Sequence, residues 1–206
     1  MFALTDEDLQ SHILGCADGP ASFNAEATRS GSRVTSCDPL YRYDAAAVRE
    51  RIAATFDTVV EETRRNAQEF VWDAIPSVDA LATARSAAME AFLADCDGGR
   101  REGRYVDAEL PSLPFPDGAF DLAVCSHFLF LYTKQLPADF HIAAVRELLR
   151  VARDVRIFPL LALGGRPSPH VPAVVDELRR SGHGVSIDTV PYEFQRGGNQ
   201  MLRIRA

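Results

Sequence analysis

The stretch HILGCADGPASFNAEATRSGSRVTSCDPLY, from His12 to Tyr41, contains the pattern that decides the fold. A short apolar run leads into a turn rich in glycine and alanine, helical spacing follows over residues 20–30, and a second apolar run ends at Asp38. A strand, a helix and a strand within about thirty residues form a βαβ unit with parallel strands. The stretch therefore predicts the first half of an α/β sheet.

The remainder of the chain extends this sheet. Apolar periodicity predicts two amphipathic helices, over residues 43–70 and 78–96, followed by the breaker DGGRREG. We interpret the block 43–100 as a helical insertion after the second strand that covers the carboxyl edge of the sheet. The later segments read as strands at 104–110, 121–132, 154–163, 184–190 and 200–206, with helices at 138–152 and 171–181.

The connector between the last two predicted strands indicates how the sheet ends. It spans residues 191–199, contains Pro and Gly-Gly, and is shorter than the dozen residues, roughly, that a parallel crossover needs. We therefore expect a C-terminal antiparallel hairpin. The predicted fold class is α/β, a Rossmann-like, doubly wound and mostly parallel sheet, and residues 1–206 are expected to form one domain.

Composition excludes several classes of function. The formal net charge is -7, which lacks the basic surface of a nucleic-acid or anionic-membrane binder. The four cysteines form no C-x-x-C pair, the His and Cys spacing predicts no metal site, and MFALTDEDLQ lacks the basic region of a signal peptide. We expect a soluble cytoplasmic protein with a small-molecule partner and with no nucleic-acid or membrane partner. A homodimer is compatible with the sequence.

The turn after the first strand has the composition of a cofactor site. Small residues alternate at Gly15, Ala17, Gly19 and Ala21, which lets the backbone bend sharply and a ligand approach closely. Asp38, at the tip of the second strand, can accept hydrogen bonds from two ribose hydroxyls. The same residues have a second interpretation, in which the turn serves only helix packing and the Asp begins a loop.

Three motifs resemble class I S-adenosylmethionine-dependent methyltransferases, over most of the chain outside the helical block. ILGCADGPASFNAEATRSGSRVTSCDPLY follows the family pattern VLDVGCGPGRF...L...G..VVGVDPS in register. LPSLPFPDGAFDLAVCSHFLFLY is similar to LPFPDGSFDLVVCS..L.H, and AVRELLRVARDVRIFPL is similar to E..RVL.PGG.L.IS. An antiparallel closing hairpin is also typical of that family.

The resemblance implies that S-adenosylmethionine is the cofactor and that a small-molecule N or O atom is methylated. Leu40 would pack near the adenine. Counting back from LPF favours Glu109 as the partner of the adenine amino group, whereas counting forward from the strand favours Asp107. The implied cofactor-binding residues are Gly15, Ala17, Asp18, Gly19, Asp38, Pro39, Leu40, Glu109, Leu110 and Ser126.

The chain departs from the family pattern on the methionine side. Gly15 occupies the place of an acidic residue that helps hold the methionine amino group, and Ala17 replaces the first glycine of the motif. Asp18 is the candidate replacement for that acid. ARDV stands where the family has PGG before its fifth strand.

The segment CSHFLFLY, residues 125–132, contains the candidate catalytic residue His127. It leaves the fourth strand at the carboxyl edge, so Ser126 and His127 would lie beside the sulfonium. His127 is the expected general base, because an imidazole titrates near neutral pH; the alternative is a loop contact or packing on Phe128. His141 is expected to be structural or exposed, and His170 lies in a loop at the same edge.

Two other functions remain open from the sequence. A dinucleotide-binding oxidoreductase would share the first βαβ unit, although the closing hairpin and the missing third glycine of G-x-G-x-x-G disfavour it. A non-catalytic module that keeps the fold is compatible with the changes at Gly15 and Ala17. Aromatic residues that could wall a substrate pocket, or form core instead, are Phe70, Trp72, Phe128, Phe130, Tyr132, Tyr192 and Phe194.

Overall fold

A seven-stranded sheet forms the centre of the computed structural model, which describes residues 1–205. The spatial order of the strands is β3-β2-β1-β4-β5-β7-β6. The strands are β1 (His12–Cys16), β2 (Arg33–Cys37), β3 (Tyr105–Val106), β4 (Phe120–Ser126), β5 (Ala152–Phe158), β6 (Gly184–Thr189) and β7 (Gln200–Arg205). The predicted α/β class and mostly parallel sheet are confirmed.

β1 pairs in parallel with β2 on one side and with β4 on the other. In this register Cys16 lies opposite both Cys37 and Cys125, and all three thiols are buried and free. The carboxyl ends of three strands therefore meet at one place. The strand order reverses there, which is where open α/β sheets bind ligands.

The end of the sheet follows the prediction from connector length. β7 pairs antiparallel with both β5 and β6 and lies between them. The ten residues 190–199 between β6 and β7 suffice for a hairpin but not for a helical crossover. The predicted C-terminal antiparallel hairpin is confirmed.

Helices cover both faces of the sheet. They are α1 (Asp6–Gln10), α2 (Phe23–Arg29), α3 (Ala45–Arg65), α4 (Val78–Arg101), α5 (Ala138–Val151) and α6 (His170–Arg180). The apolar faces of α5 and α6 pack against the side of the sheet that carries Leu14 and Cys16, whereas α1 and α2 contribute to the core around Ile13. Within residues 1–205, no helix has both the length and the apolar composition needed to cross a bilayer.

The region between β2 and β3 differs in detail from the sequence prediction. α3 ends at Arg65 rather than near residue 70, and α4 continues through the predicted breaker to Arg101. Gly99 lies inside this helix with the Tyr105 ring packed against it, and a β-carbon there would lie 2.5 Å from the ring, so the packing requires a glycine. The predicted strand 104–110 shortens to the two residues of β3.

A short N-terminal helix, absent from the sequence prediction, is attached to the sheet by a buried ion pair. Arg156 of β5 is 2% exposed, and its guanidinium donates to both carboxylate oxygens of Asp8, at 2.7 and 2.9 Å. It also donates to Asp154 and to the carbonyl of Phe2. Because an unpaired buried charge is costly, this pairing fixes residues 1–10 over the edge of the sheet.

The Asp8–Arg156 pair predicts a stability difference between two acids of the same helix. Asp8→Asn keeps an acceptor for the Thr5 N–H but removes the charge opposite Arg156, so we expect the free energy of unfolding to fall by about 2 kcal/mol. Asp6→Asn is the matched control, since Asp6 is exposed. Urea unfolding of both variants measures the difference. Equal stability of the two would mean that the ion pair does not hold the N-terminal segment.

Candidate active site

Two residues with left-handed backbone face one another at the carboxyl edge. Ala17 follows β1 with φ 56°, and His127 follows β4 with φ 51°. The Ala17 N–H donates to the Cys37 carbonyl at 2.9 Å, and the His127 N–H donates to the Phe158 carbonyl at 2.7 Å. The sheet ladder therefore determines both positions. A non-glycine residue in this region costs roughly 1–3 kcal/mol, and such residues concentrate at functional sites.

Two cavities open at this edge. The large cavity, of about 800 Å³, has Ala17, Asp38, Pro39, Glu109, Leu110 and His127 among its lining residues. The small cavity, of about 530 Å³, is lined by residues that include Phe2, Leu4, Asp18, Gly19 and Ser126. Ala17 and His127 line both cavities. A ligand of cofactor size can therefore extend from one cavity into the other past these two residues.

Asp38 holds the turn that separates β1 from α2. Its carboxylate accepts from the Gly19 N–H at 2.9 Å and from the Leu40 N–H at 2.8 Å, one on each oxygen. The Tyr41 hydroxyl donates to the Gly19 carbonyl at 2.9 Å. Each carboxylate oxygen keeps a further lone pair, and Asp38 lines the large cavity, so the carboxylate can still accept from two hydroxyls of a ligand there.

Asp18 occupies the space that a side chain at position 15 would fill. A β-carbon built on Gly15 would lie 1.9 Å from Asp18 Oδ2, and that oxygen accepts from the Ser36 hydroxyl at 2.6 Å. Burial, and then the charge of Asp38, raise the pKa of Asp18 to about 6 despite this hydrogen bond. The missing acid at position 15 is thus replaced in space by the carboxylate of Asp18.

The His127 ring is neutral at physiological pH. The residue as a whole is exposed, but desolvation of the ring by the protein around it, followed by the positive charge of Arg85, lowers its pKa to about 4. This value is below the near-neutral pKa expected from the sequence, so the ring is a weaker base than a free imidazole. Nδ1 lies 2.8 Å from the Ser126 hydroxyl, and the ring packs edge-on against Phe158 with centroids 5.6 Å apart. In the tautomer in which Nδ1–H donates to the Ser126 hydroxyl, Nε2 of the neutral imidazole keeps a lone pair that can accept a proton.

Two comparisons with known proteins bear on the family of this chain. A family model described as a methyltransferase domain matches residues 70–155. An uncharacterised protein of Methanocaldococcus jannaschii is 32% identical over 206 residues, which is 100% of this chain and 90% of that protein. Together with the motifs and the strand order, these matches decide the family.

The chain belongs to the class I S-adenosylmethionine-dependent methyltransferases.

Among solved structures, a mitomycin 7-O-methyltransferase shares the fold of this methyltransferase with a TM-score of 0.50 and 17% identity, over 98% of this chain and 51% of that one. Magnesium protoporphyrin IX methyltransferase from Synechocystis PCC 6803 aligns with a TM-score of 0.47 and 13% identity, over 97% and 72% of the two chains. The family assignment makes the protein an enzyme that uses S-adenosylmethionine, against the oxidoreductase alternative.

Most residues that the sequence assigned to the cofactor lie around the two cavities, with two exceptions. Gly15 is buried beneath the Asp18 carboxylate and lines neither cavity. The Leu40 side chain packs beside the core cluster of Tyr41 and Val48, and only its N–H reaches the site. The first difference arises because the Asp18 side chain fills the space at position 15, and the second because the Leu40 side chain packs toward the core.

The structure distinguishes the two acids that competed for the adenine. Glu109 lines the large cavity together with Asp38. Asp107 lies outside the lining and forms an ion pair with Arg42 at 3.1 Å. Glu109 is therefore the acid available to a ligand in that cavity.

The other histidines and aromatic residues have varied positions. Both ring nitrogens of His141 lie within 2.9 Å of backbone carbonyl oxygens, and His170 Nε2 lies 3.3 Å from the Thr133 carbonyl. Neither residue lines either of the two cavities. Phe128 and Tyr132 line the large cavity, whereas Phe130 is core and Tyr192 packs on Phe158. A separate aromatic cluster joins the helical insertion to the hairpin connector and consists of Phe70, Trp72 and Phe194.

Sequence reasoning missed four contributors to the site. Tyr41 and Ser36 support the turn and Asp18, and Phe2 and Leu4 form a wall of the small cavity. Tyr41 lies within the quoted first motif, so its position was visible although its hydrogen bond was not. The N-terminal wall depends on the buried Asp8–Arg156 pair and has no local sequence signal.

The left-handed backbone at His127 predicts an unusual order of stabilities. His127→Gly relieves the backbone strain, so we expect it to be more stable than His127→Ala by about 1 kcal/mol, the reverse of the usual order for these residues in regular structure. Thermal or urea unfolding of both variants measures this. If the alanine variant is the more stable, residue 127 does not have a left-handed conformation.

Proposed function

We propose that the enzyme transfers a methyl group from S-adenosylmethionine to a nitrogen or oxygen of a small-molecule acceptor. The observation that carries the proposal is that Ala17 and His127 line both cavities at the strand-order reversal. S-adenosylmethionine would supply a methyl group bonded to a positively charged sulfur. As the acceptor atom bonds to the methyl carbon, the carbon–sulfur bond would break and the sulfur would leave as a neutral thioether. The protein chiefly aligns the two reactants.

The large cavity suits the adenosine end of the cofactor. Asp38 would accept from the ribose hydroxyls, Glu109 would accept from the adenine amino group, and Pro39 and Leu110 would supply apolar contact to the ring. The support is that all four line one cavity of about 800 Å³, within the range of small-molecule sites.

The small cavity suits the methionine end. Asp18 would pair with the ammonium group of the methionine, in place of the acidic residue that the family has at the position of Gly15. The backbone of Ala17 and Gly19 would lie beside the methionine side chain. The support is the Asp18 carboxylate, which is half-buried, lines the small cavity and has no cationic partner within residues 1–205. A partly buried carboxylate without a counter-charge is costly, and an ammonium ligand relieves that cost.

His127 would accept the proton that an acceptor hydroxyl or ammonium loses. Its ring is already neutral at pH 7, and Ser126 orients it through Nδ1. We further propose that residues 1–206 act as one domain, with α3 and α4 as a cover beside the site. The four free, buried thiols favour a reducing compartment such as the cytoplasm.

Binding of S-adenosylhomocysteine tests the proposed function. We expect Asp38→Ala to weaken that binding by about 1–3 kcal/mol, because the ribose loses a charged acceptor. Asp107→Ala is the matched control, since Asp107 is an acid at the same edge that lies outside both cavities. Isothermal titration calorimetry compares the variants, with thermal unfolding to verify that each is folded. Equal affinity of both variants, or no binding by the unaltered enzyme, contradicts the proposal.

Asp18 predicts a pH dependence of cofactor affinity. Folding raises the pKa of Asp18 to about 6, so the folded protein favours the protonated carboxyl group. The contribution of Asp18 to the free energy of unfolding is therefore present at low pH and is lost as the pH rises through about 6. An ammonium ligand binds the ionised form, so we expect affinity for S-adenosylhomocysteine to increase about five- to tenfold between pH 5 and pH 7. In Asp18→Asn the increase should disappear. If the increase persists in that variant, another group, such as Asp38, holds the ammonium.

A further inference from the structure

A groove between α3 and α4 borders the cofactor turn from outside. It has a volume of about 190 Å³, and its apolar lining includes Pro20, Leu40, Ile52, Phe56, Val60 and Met89. Pro20 belongs to the turn after β1, and the Leu40 N–H is bonded to Asp38. The groove therefore adjoins the residues that we assign to the cofactor.

The groove side of α3 is incompletely covered by protein. Of its 21 residues, only Val48 and Thr63 are buried, while Ile52, Phe56 and Val60 are half-buried. An amphipathic helix normally buries its apolar face against a neighbour. A cavity of about 150 Å³ with apolar walls is large enough to bind benzene, so this groove has room for one ring or a short alkyl chain.

Two arginines give the groove a positive charge. Arg51 and Arg85 both line it, and within residues 1–205 neither forms an ion pair with an acid. By contrast, Arg49 on the same helix as Arg51 pairs with Glu90 at 2.6 Å. The charge of Arg85 also acts on His127, where it adds to the lowering of the pKa, and on Tyr192, where burial raises the pKa and Arg85 only partly opposes that rise. Arg85 thus connects the groove electrostatically with the candidate general base.

We propose that this groove binds the methyl acceptor, and that the acceptor is an amphipathic carboxylate whose ring or alkyl part lies in the groove and whose carboxylate pairs with Arg85. The inference rests on the proposed function and specifies its substrate class. Arginine suits this role because its planar guanidinium can donate two parallel hydrogen bonds to a carboxylate. The apolar lining supplies affinity, and the arginine selects the charged group.

Matched pairs of small probes test the substrate class. With S-adenosylhomocysteine present, the carboxylates 3-phenylpropionate and hexanoate are titrated against their uncharged amides, 3-phenylpropionamide and hexanamide. We expect the carboxylates to bind about tenfold more tightly than the amides. Arg85→Gln should remove this preference without changing the affinity for S-adenosylhomocysteine. Arg65→Gln, which removes the same charge from an exposed site on α3 outside the groove, should retain the preference.

The outcomes separate this inference from the proposed function. Binding of S-adenosylhomocysteine without any preference for the carboxylates overturns the acceptor assignment alone. A tenfold loss of S-adenosylhomocysteine affinity in Arg85→Gln also overturns it, because Arg85 would then serve the cofactor's own carboxylate. No binding of S-adenosylhomocysteine by the unaltered enzyme overturns the proposed function and this inference together.

Discussion

The parallel pairing of β1 with both β2 and β4 is the constraint on which the site depends. Backbone hydrogen bonds place Cys16 opposite Cys37 and Cys125, so the residues that follow these strands emerge side by side. Ala17, Asp38 and His127 are each the first residue beyond their strand. Because the register of the ladder fixes their relative positions, the site is built before any loop side chain contributes.

The strained backbone at Ala17 and the half-buried acid Asp18 belong to the same arrangement. Ala17 and His127 have left-handed conformations because their N–H groups continue the ladder while the chain turns away from the sheet. That turn brings Asp18 back over Gly15, where its carboxylate reaches Ser36 and lies near Asp38. Two carboxylates at a partly dry edge favour a ligand that brings positive charge and hydroxyl groups, as S-adenosylmethionine does.

Local sequence patterns were sufficient for the fold and for part of the site. Connector length gave the closing hairpin, and the first motif located Asp38. Side-chain contacts that periodicity does not describe accompany two of the failures: Tyr105 packs on Gly99 inside α4, and Asp18 covers Gly15. The N-terminal wall and the charge of Arg85 beside His127 likewise depend on packing between elements far apart in the chain, which no local pattern encodes.

The structure of the enzyme with bound S-adenosylhomocysteine measures the central assignment most directly. We expect the ribose hydroxyls within hydrogen-bonding distance of the Asp38 carboxylate, the amino group beside Asp18, and the sulfur between Ala17 and His127. A ligand whose sugar lies away from Asp38, or whose sulfur lies outside the space shared by the two cavities, would contradict the assignment of the site.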